Sequence, residues 1–121
     1  MLYRSTRGTS PAVSSAEAVV RGIAPDGGLY LPEALPSFDW QKCLKMDTIS
    51  MSAALLHALL PDIPDMDALT RRAYSGKFET ETLTPTVPVG GAHVLELFRG
   101  PTSAFKDVAL SMLPQLITAA R

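Results

Sequence analysis

A chain of 121 residues, 46% hydrophobic and 19% charged, has the length of one small domain and the composition of a globular one, which excludes a disordered tail. A net charge of -1 with both signs scattered offers no basic stripe to nucleic acid and no block to an anionic membrane, and no apolar run approaches a membrane span. One cysteine, Cys43, and two histidines make neither a disulfide nor a metal set; with no secretory signal after Arg4 and Arg7, the expected location is the cytoplasm.

Leu2 to Ser5 reads as a short strand, after which Thr6-Arg7-Gly8-Thr9 turns the chain. Ser14-Ser-Ala-Glu17 has the form of a capping box, opening a helix from Ser15 to Arg21 that Gly22 ends. Pro25-Asp-Gly-Gly28 is dense turn chemistry; Leu29-Tyr-Leu31 is a brief strand stopped by Pro32, followed by an irregular connection to Asp39. Thr48 to Leu60 is a helix, since Met51, Ala54, Leu55, Ala58 and Leu59 recur at helical spacing and Pro61 closes it; His57 lies within it as a structural residue. Pro64-Asp-Met-Asp67 opens another helix, to about Tyr74, with acids in its first turn and Arg71 and Arg72 near its end. Thr84 to Val89 and His93 to Phe98 are extended runs joined by Gly90-Gly91, a hairpin whose first strand, with Pro85 and Pro88, belongs at an edge.

The run Glu96-Leu-Phe-Arg-Gly-Pro-Thr-Ser-Ala-Phe-Lys106-Asp107 then enters a helix that Thr102 or Ser103 caps. A helix N-terminus carries partial positive charge, which suits Asp107 and not Lys106. On a helical wheel Leu110, Leu113 and Ile117 lie beneath Lys106 with Ala109 and Leu116 just beside them, Asp107, Ser111, Gln115 and Thr118 are opposite, and toward the end Leu116, Ile117 and Ala120 take the buried side. Periodicity leaves two readings open: a lysine desolvated into a nucleophile, or one whose stem lies along apolar surface while its head reaches water. Pro114 is expected to bend or divide this helix, and the sequence stops in mid-element, as the leading part of a longer protein would.

Three segments in order, Tyr3-Arg-Ser-Thr-Arg-Gly8, Gly22-Ile-Ala-Pro-Asp-Gly-Gly-Leu-Tyr-Leu-Pro32 and Leu95-Glu-Leu-Phe-Arg-Gly-Pro-Thr-Ser-Ala-Phe-Lys-Asp-Val-Ala-Leu110, resemble the threonine synthase family. These are pyridoxal 5'-phosphate (PLP) enzymes of the tryptophan-synthase β-like class, fold type II. The resemblance implies an α+β fold, with residues 1–83 an N-terminal domain and 84–121 the truncated start of a PLP-binding domain. It implies a carbon–oxygen lyase acting on phosphates, converting O-phosphohomoserine and water to threonine and phosphate. Lys106 would carry PLP as a Schiff base and move protons, while Phe105 and Asp107 would position the cofactor. Ser5, Thr6 and Arg7 either face the active-site region or form only a structural turn. No phosphate-cradling loop is recognisable after Lys106, so the isolated chain is expected to be inactive and to self-associate through exposed apolar surface. The alternative is a short non-catalytic relative acting as a protein-interaction module.

Overall fold

Period-two alternation sets the first element. Along β1 (Leu2–Ser5), Tyr3 and Ser5 turn inward and Leu2 and Arg4 outward, as side chains on successive strand residues must. The computed structural model describes residues 1–121 and makes β1 the centre of an antiparallel sheet, between β2 (Val13–Ser14) and β3 (Tyr30–Pro32). Tyr3 pairs with Val13 on one side and Pro32 on the other; Arg4, opposite Leu31, reaches Glu33 at 2.5 Å. Pro32 sits on an edge strand, where its missing N–H disturbs no ladder.

The helix from Ser15 to Arg21 forms as expected. In α1 (Ser15–Arg21) the Ser14 hydroxyl accepts from the Glu17 N–H at 3.1 Å and Gly22 follows the last turn. The Glu17 carboxylate pairs forward with Arg21 instead of back to the cap. A four-residue helix not anticipated from the sequence, α2 (Trp40–Cys43), is held by Asp39 accepting from the Lys42 N–H at 3.1 Å. Asp47 caps α3 (Thr48–Leu59) through the Ser50 N–H at 3.0 Å, and α4 (Met66–Tyr74) follows. The hairpin is shorter than expected: β4 (Thr86–Val89) and β5 (Ala92–Leu95) pair in the register Thr86 to Leu95 and Val89 to Ala92. The last helix, α5 (Asp107–Ala120), carries through Pro114 as one element, so of the two expected outcomes, a bend or a division, the division does not occur. Proline removes the N–H that would bond the Leu110 carbonyl, and Leu110 is exposed, so that carbonyl lies where water can serve it.

α4 packs between α3 and α5, and α1 packs on α5. Ile63, Leu69 and Ala73 meet Tyr3, Ala53, Met112 and Leu116 in one core, which therefore contains both the first strand and the last helix. Polar ties lock these layers. The Tyr3 hydroxyl donates to the Leu59 carbonyl at 2.6 Å, and fully buried Ser15 donates its N–H and hydroxyl to Asp62 at 2.9 and 2.6 Å.

On α3 the core-facing residues are Ile49, Ala53, Leu56 and Leu59, with Leu60 just past its end, while Leu55 is exposed. The stripe read from Met51, Ala54, Leu55, Ala58 and Leu59 thus shares Leu59 with the buried one and is otherwise rotated from it. α3 is apolar on most of its circumference, so spacing alone does not choose the face that packs.

Asp26 organises the N-terminal turn. Its carboxylate accepts from the Ser5 hydroxyl at 2.6 Å, the Thr9 N–H and hydroxyl at 3.1 and 2.9 Å, the Ser10 N–H at 3.0 Å and the Gly28 N–H at 3.0 Å. A Cβ on Gly28 would lie 2.0 Å from the Ser5 hydroxyl, so only glycine lets the two segments close. These bonds, the Ser5 hydroxyl first, hold the Asp26 carboxyl far below the ordinary carboxylate range. Ser5 and Thr6 thereby direct their polar groups into the turn: Thr6 accepts from the Leu29 N–H at 3.0 Å. Arg7 donates to the Asp26 carbonyl at 3.0 Å.

Candidate active site

The segment from β5 to α5 places the three residues singled out for cofactor chemistry side by side in different environments. Lys106 is the residue before the first helical turn and is exposed; its carbonyl accepts from the Leu110 N–H at 2.8 Å, the first bond of α5. Phe105 is 66% exposed, and the Lys106 Nζ lies 5.9 Å from its ring centroid, at the outer reach of a cation–π contact. Asp107 is 3% exposed.

The helical wheel placed Lys106 over a buried apolar face and Asp107 on a polar one; Leu116 and Ala120 do pack on the core as read, but the rest of the buried face is turned away from Lys106, and Asp107 is buried. Val108, Met112 and Leu116 face the core, whereas Leu110 and Leu113 beside Lys106 are 56% and 43% exposed. The apolar side of α5 is broad, taking in everything but the strip of Asp107, Ser111, Gln115 and Thr118, so the wheel could not tell which part of it the partners cover. Lys106 therefore stands on an apolar surface open to solvent, without the burial from which desolvation would follow.

Neither Thr102 nor Ser103 caps the helix, and no side chain bonds at its cap position. Thr102 instead addresses Asp107: its N–H donates to Oδ2 at 2.7 Å and its hydroxyl to Oδ1 at 2.5 Å. The Thr102 hydroxyl, then its amide, holds the Asp107 carboxyl below the usual carboxylate range. Behind this pair lies buried Gly100, where an added Cβ would sit 2.4 Å from the Asp107 Cβ. Upstream, Arg99 donates to Glu79 at 2.8 Å and to Glu96 at 2.7 Å and lies 5.0 Å over the Phe98 ring; the two carboxylates, Glu79 first, raise the guanidinium pKa. The Glu79 N–H returns a bond to the Arg99 carbonyl at 3.0 Å.

α4 secures the helix from the other side. The Tyr74 hydroxyl donates to the Val108 carbonyl at 3.2 Å in the first turn of α5, and burial raises the Tyr74 pKa. Between α3, Tyr74 and α5 opens an apolar concavity of about 440 Å³, lined by Leu56, Phe105, Met112 and Leu113 among others, with Lys106 as its one charged residue. An aldehyde-bearing aromatic cofactor needs an accessible amine beside an apolar wall, and Lys106 meets both conditions. The chain's residues thus fit the attachment point of such a group. Gly100 and Tyr74 were not singled out from the sequence as site residues, and Thr102 only as a helix cap. The spacing Gly100-x-Thr102 followed five residues later by an aspartate was the available signal for the first two.

Comparison with known proteins bears on what this geometry serves. The family described as threonine synthase N terminus matches residues 2–74, more than half of the chain. Threonine synthase of Saccharomyces cerevisiae is 41% identical over 95% of this chain and 25% of its own length. Threonine synthase-like 2 of Mus musculus is 39% identical over 97% of this chain and 26% of its own. The PLP-bound threonine synthase crystal structure from Brucella melitensis superposes with a TM-score of 0.89 at 36% identity, covering 99% of this chain and 27% of that one. The fold is accordingly that of the N-terminal region of these structures, small sheets with helices, and the chain spans about a quarter of the length of the relatives it matches. On the match of residues 2–74 and this agreement of fold, the chain belongs to the threonine synthase family.

Proposed function

We propose that this chain is the N-terminal part of a threonine synthase, contributing Lys106 as the PLP attachment residue for conversion of O-phosphohomoserine and water to threonine and phosphate. The observation that carries this reading is Lys106 itself: an exposed amine at the head of α5, beside an apolar concavity, on a loop pinned at both ends. When bound, PLP supplies an electron sink for negative charge developing beside the substrate's amine. Lys106 would hold the cofactor through its amine and, as a free amine, would move protons at the substrate's Cα and Cβ in the reaction that exchanges the γ-phosphate for water at Cβ. Phe105 offers its exposed ring as a wall beside the amine, and Asp107, buried and bonded to Thr102, fixes the backbone on which Lys106 stands.

Residues 1–83 act as the N-terminal domain and 84–121 as the start of the PLP-binding domain, docked on the first through Met112 and Leu116. The 121 residues alone are inactive, because the groups that receive the cofactor's phosphate and ring nitrogen and the substrate's carboxylate and phosphate come from the rest of the enzyme.

The test is a chimera in which this chain replaces the N-terminal quarter of the Saccharomyces cerevisiae enzyme. Phosphate release from O-phosphohomoserine, its loss in Lys106→Ala, and a borohydride-trapped PLP adduct mapped to Lys106 are expected. A folded chimera that traps PLP on another lysine, or that turns over as Lys106→Ala, would overturn the reading. A second reading, a non-catalytic interaction module, draws on exposed Phe98, Phe105, Leu110 and Leu113. It predicts a folded chimera with no adduct and no turnover.

A further inference from the structure

We infer that Thr102 is a positioning residue for Lys106, acting through the Asp107 carboxylate across a close approach that only Gly100 permits. This rests on the reading of Lys106 as the cofactor's attachment residue. Both polar groups of Thr102 able to donate are committed to Asp107, one to each carboxylate oxygen. An acid in the first turn of a helix is accounted for by the helix dipole alone, but the dipole asks for neither a threonine five residues upstream nor a glycine packed on the acid's Cβ. Here both are present, and the Asp107 side chain is buried between them.

The loop that results is closed at each end and bare in the middle. The Ser103 N–H bonds the Gly100 carbonyl at 3.1 Å and the Asp107 N–H bonds the Ala104 carbonyl at 3.0 Å. Ser103 is held at φ +57°, a left-handed conformation that costs a residue with a Cβ energy unless its surroundings impose it. Lys106 has no side-chain hydrogen bond or ion pair of its own, and its neighbour in sequence is the residue to which the loop is fastened. The direction in which its amine leaves the backbone is therefore set by the Thr102–Asp107 pair. An attachment residue displaced by about 1 Å loses on the order of 100-fold in a reaction that depends on alignment.

A loop closure that is merely structural would change stability and leave the amine's reactivity as it was. The discriminating readout is the rate at which Lys106 reacts relative to Lys42, Lys45 and Lys77 in the same molecule, first with acetic anhydride as a function of pH, which needs no cofactor, and then with PLP and borohydride. In the native chain Lys106 is expected to form the PLP adduct ahead of the other three. In Thr102→Val its relative rate is expected to fall about tenfold with both reagents, and Thr102→Ser, which keeps the hydroxyl, to restore it. A folded Thr102→Val chain whose Lys106 reacts like the native one overturns the positioning role. Amide exchange of the native chain keeps the matter decidable should that variant unfold: a Thr102 N–H that exchanges as fast as those of open loops overturns it, and a protected one supports it. Lack of any preference for Lys106 in the native chain overturns the positioning role; the attachment reading is decided separately by the chimera, which alone supplies the groups for the cofactor's phosphate and ring nitrogen.

Discussion

At Gly100 the absence of a side chain is a packing requirement, because an added Cβ would fall 2.4 Å from the Asp107 Cβ and 2.5 Å from Oδ2. Gly100→Ala must move Asp107 or the loop, and overpacking of this kind costs about 1–3 kcal/mol. Gly91, at the hairpin turn, has nothing within 4 Å of its added Cβ, so Gly91→Ala should stay within about 0.5 kcal/mol of the native chain. Urea unfolding of the two variants checks the contrast. This pair also marks the limit of what the residues disclose. Gly90-Gly91 announces its turn because the cause lies in its own backbone, whereas Gly100 is required by a residue seven positions on. Asp26 is similar. Pro25-Asp-Gly-Gly28 is legible as a turn, but the bonds from Ser5, Thr9 and Ser10 depend on two segments meeting in space.

Helix ends were easier to read than helix faces, the start of α5 excepted, where Thr102 bonds Asp107 instead of capping. Ser14 caps α1 and Gly22 ends it where the sequence placed them, since caps are local hydrogen-bond chemistry. The buried faces of α3 and α5 were legible only in part, at Leu59, Leu116 and Ala120, because both helices are apolar around most of their circumference and the choice lies with their partners. The consequence is measurable on α5. Met112→Ala, which empties a core position, should cost about 2–5 kcal/mol. Leu110→Ala and Leu113→Ala, on the surface beside Lys106, should each cost well under that in the chain by itself. The reverse order, read by denaturant midpoint, would return the helix to the orientation drawn from its periodicity. The α+β character of the fold and the order of its elements were legible, the short α2 and the two-residue β2 excepted, because turn residues and helical spacing punctuate the chain throughout.

The whole molecule carries two further expectations. Asp26, Asp62 and Asp107 all have folded-state pKa values below the ordinary 3.8, each chiefly through a hydroxyl donor: Ser5, Ser15 and Thr102. Groups depressed in this way contribute stability that is fully present above the unfolded value and is lost as pH falls through the folded one. Stability against urea should therefore be insensitive to these groups above about pH 5 and should fall with acid below about pH 4, with a shallower acid slope in Asp26→Asn. A native and a variant profile that coincide would remove Asp26 from the cause. The apolar residues left on the surface, Phe98, Phe105, Leu110 and Leu113 among them, favour association of the isolated chain. Sedimentation is expected to show mass rising with concentration and returning to the monomer in Leu110→Glu/Leu113→Glu. No helix is long and apolar enough to cross a membrane.

The shared core sets an order in time as well as in space. Tyr3 and Met112 belong to one hydrophobic cluster, and the Tyr74 hydroxyl reaches the first turn of α5. Every one of these partners has been synthesised once residue 120 leaves the ribosome, so the helix that presents Lys106 has its support from residues translated before it. At about 5–20 residues per second, Tyr3 and Tyr74 are made seconds ahead of the helix they support.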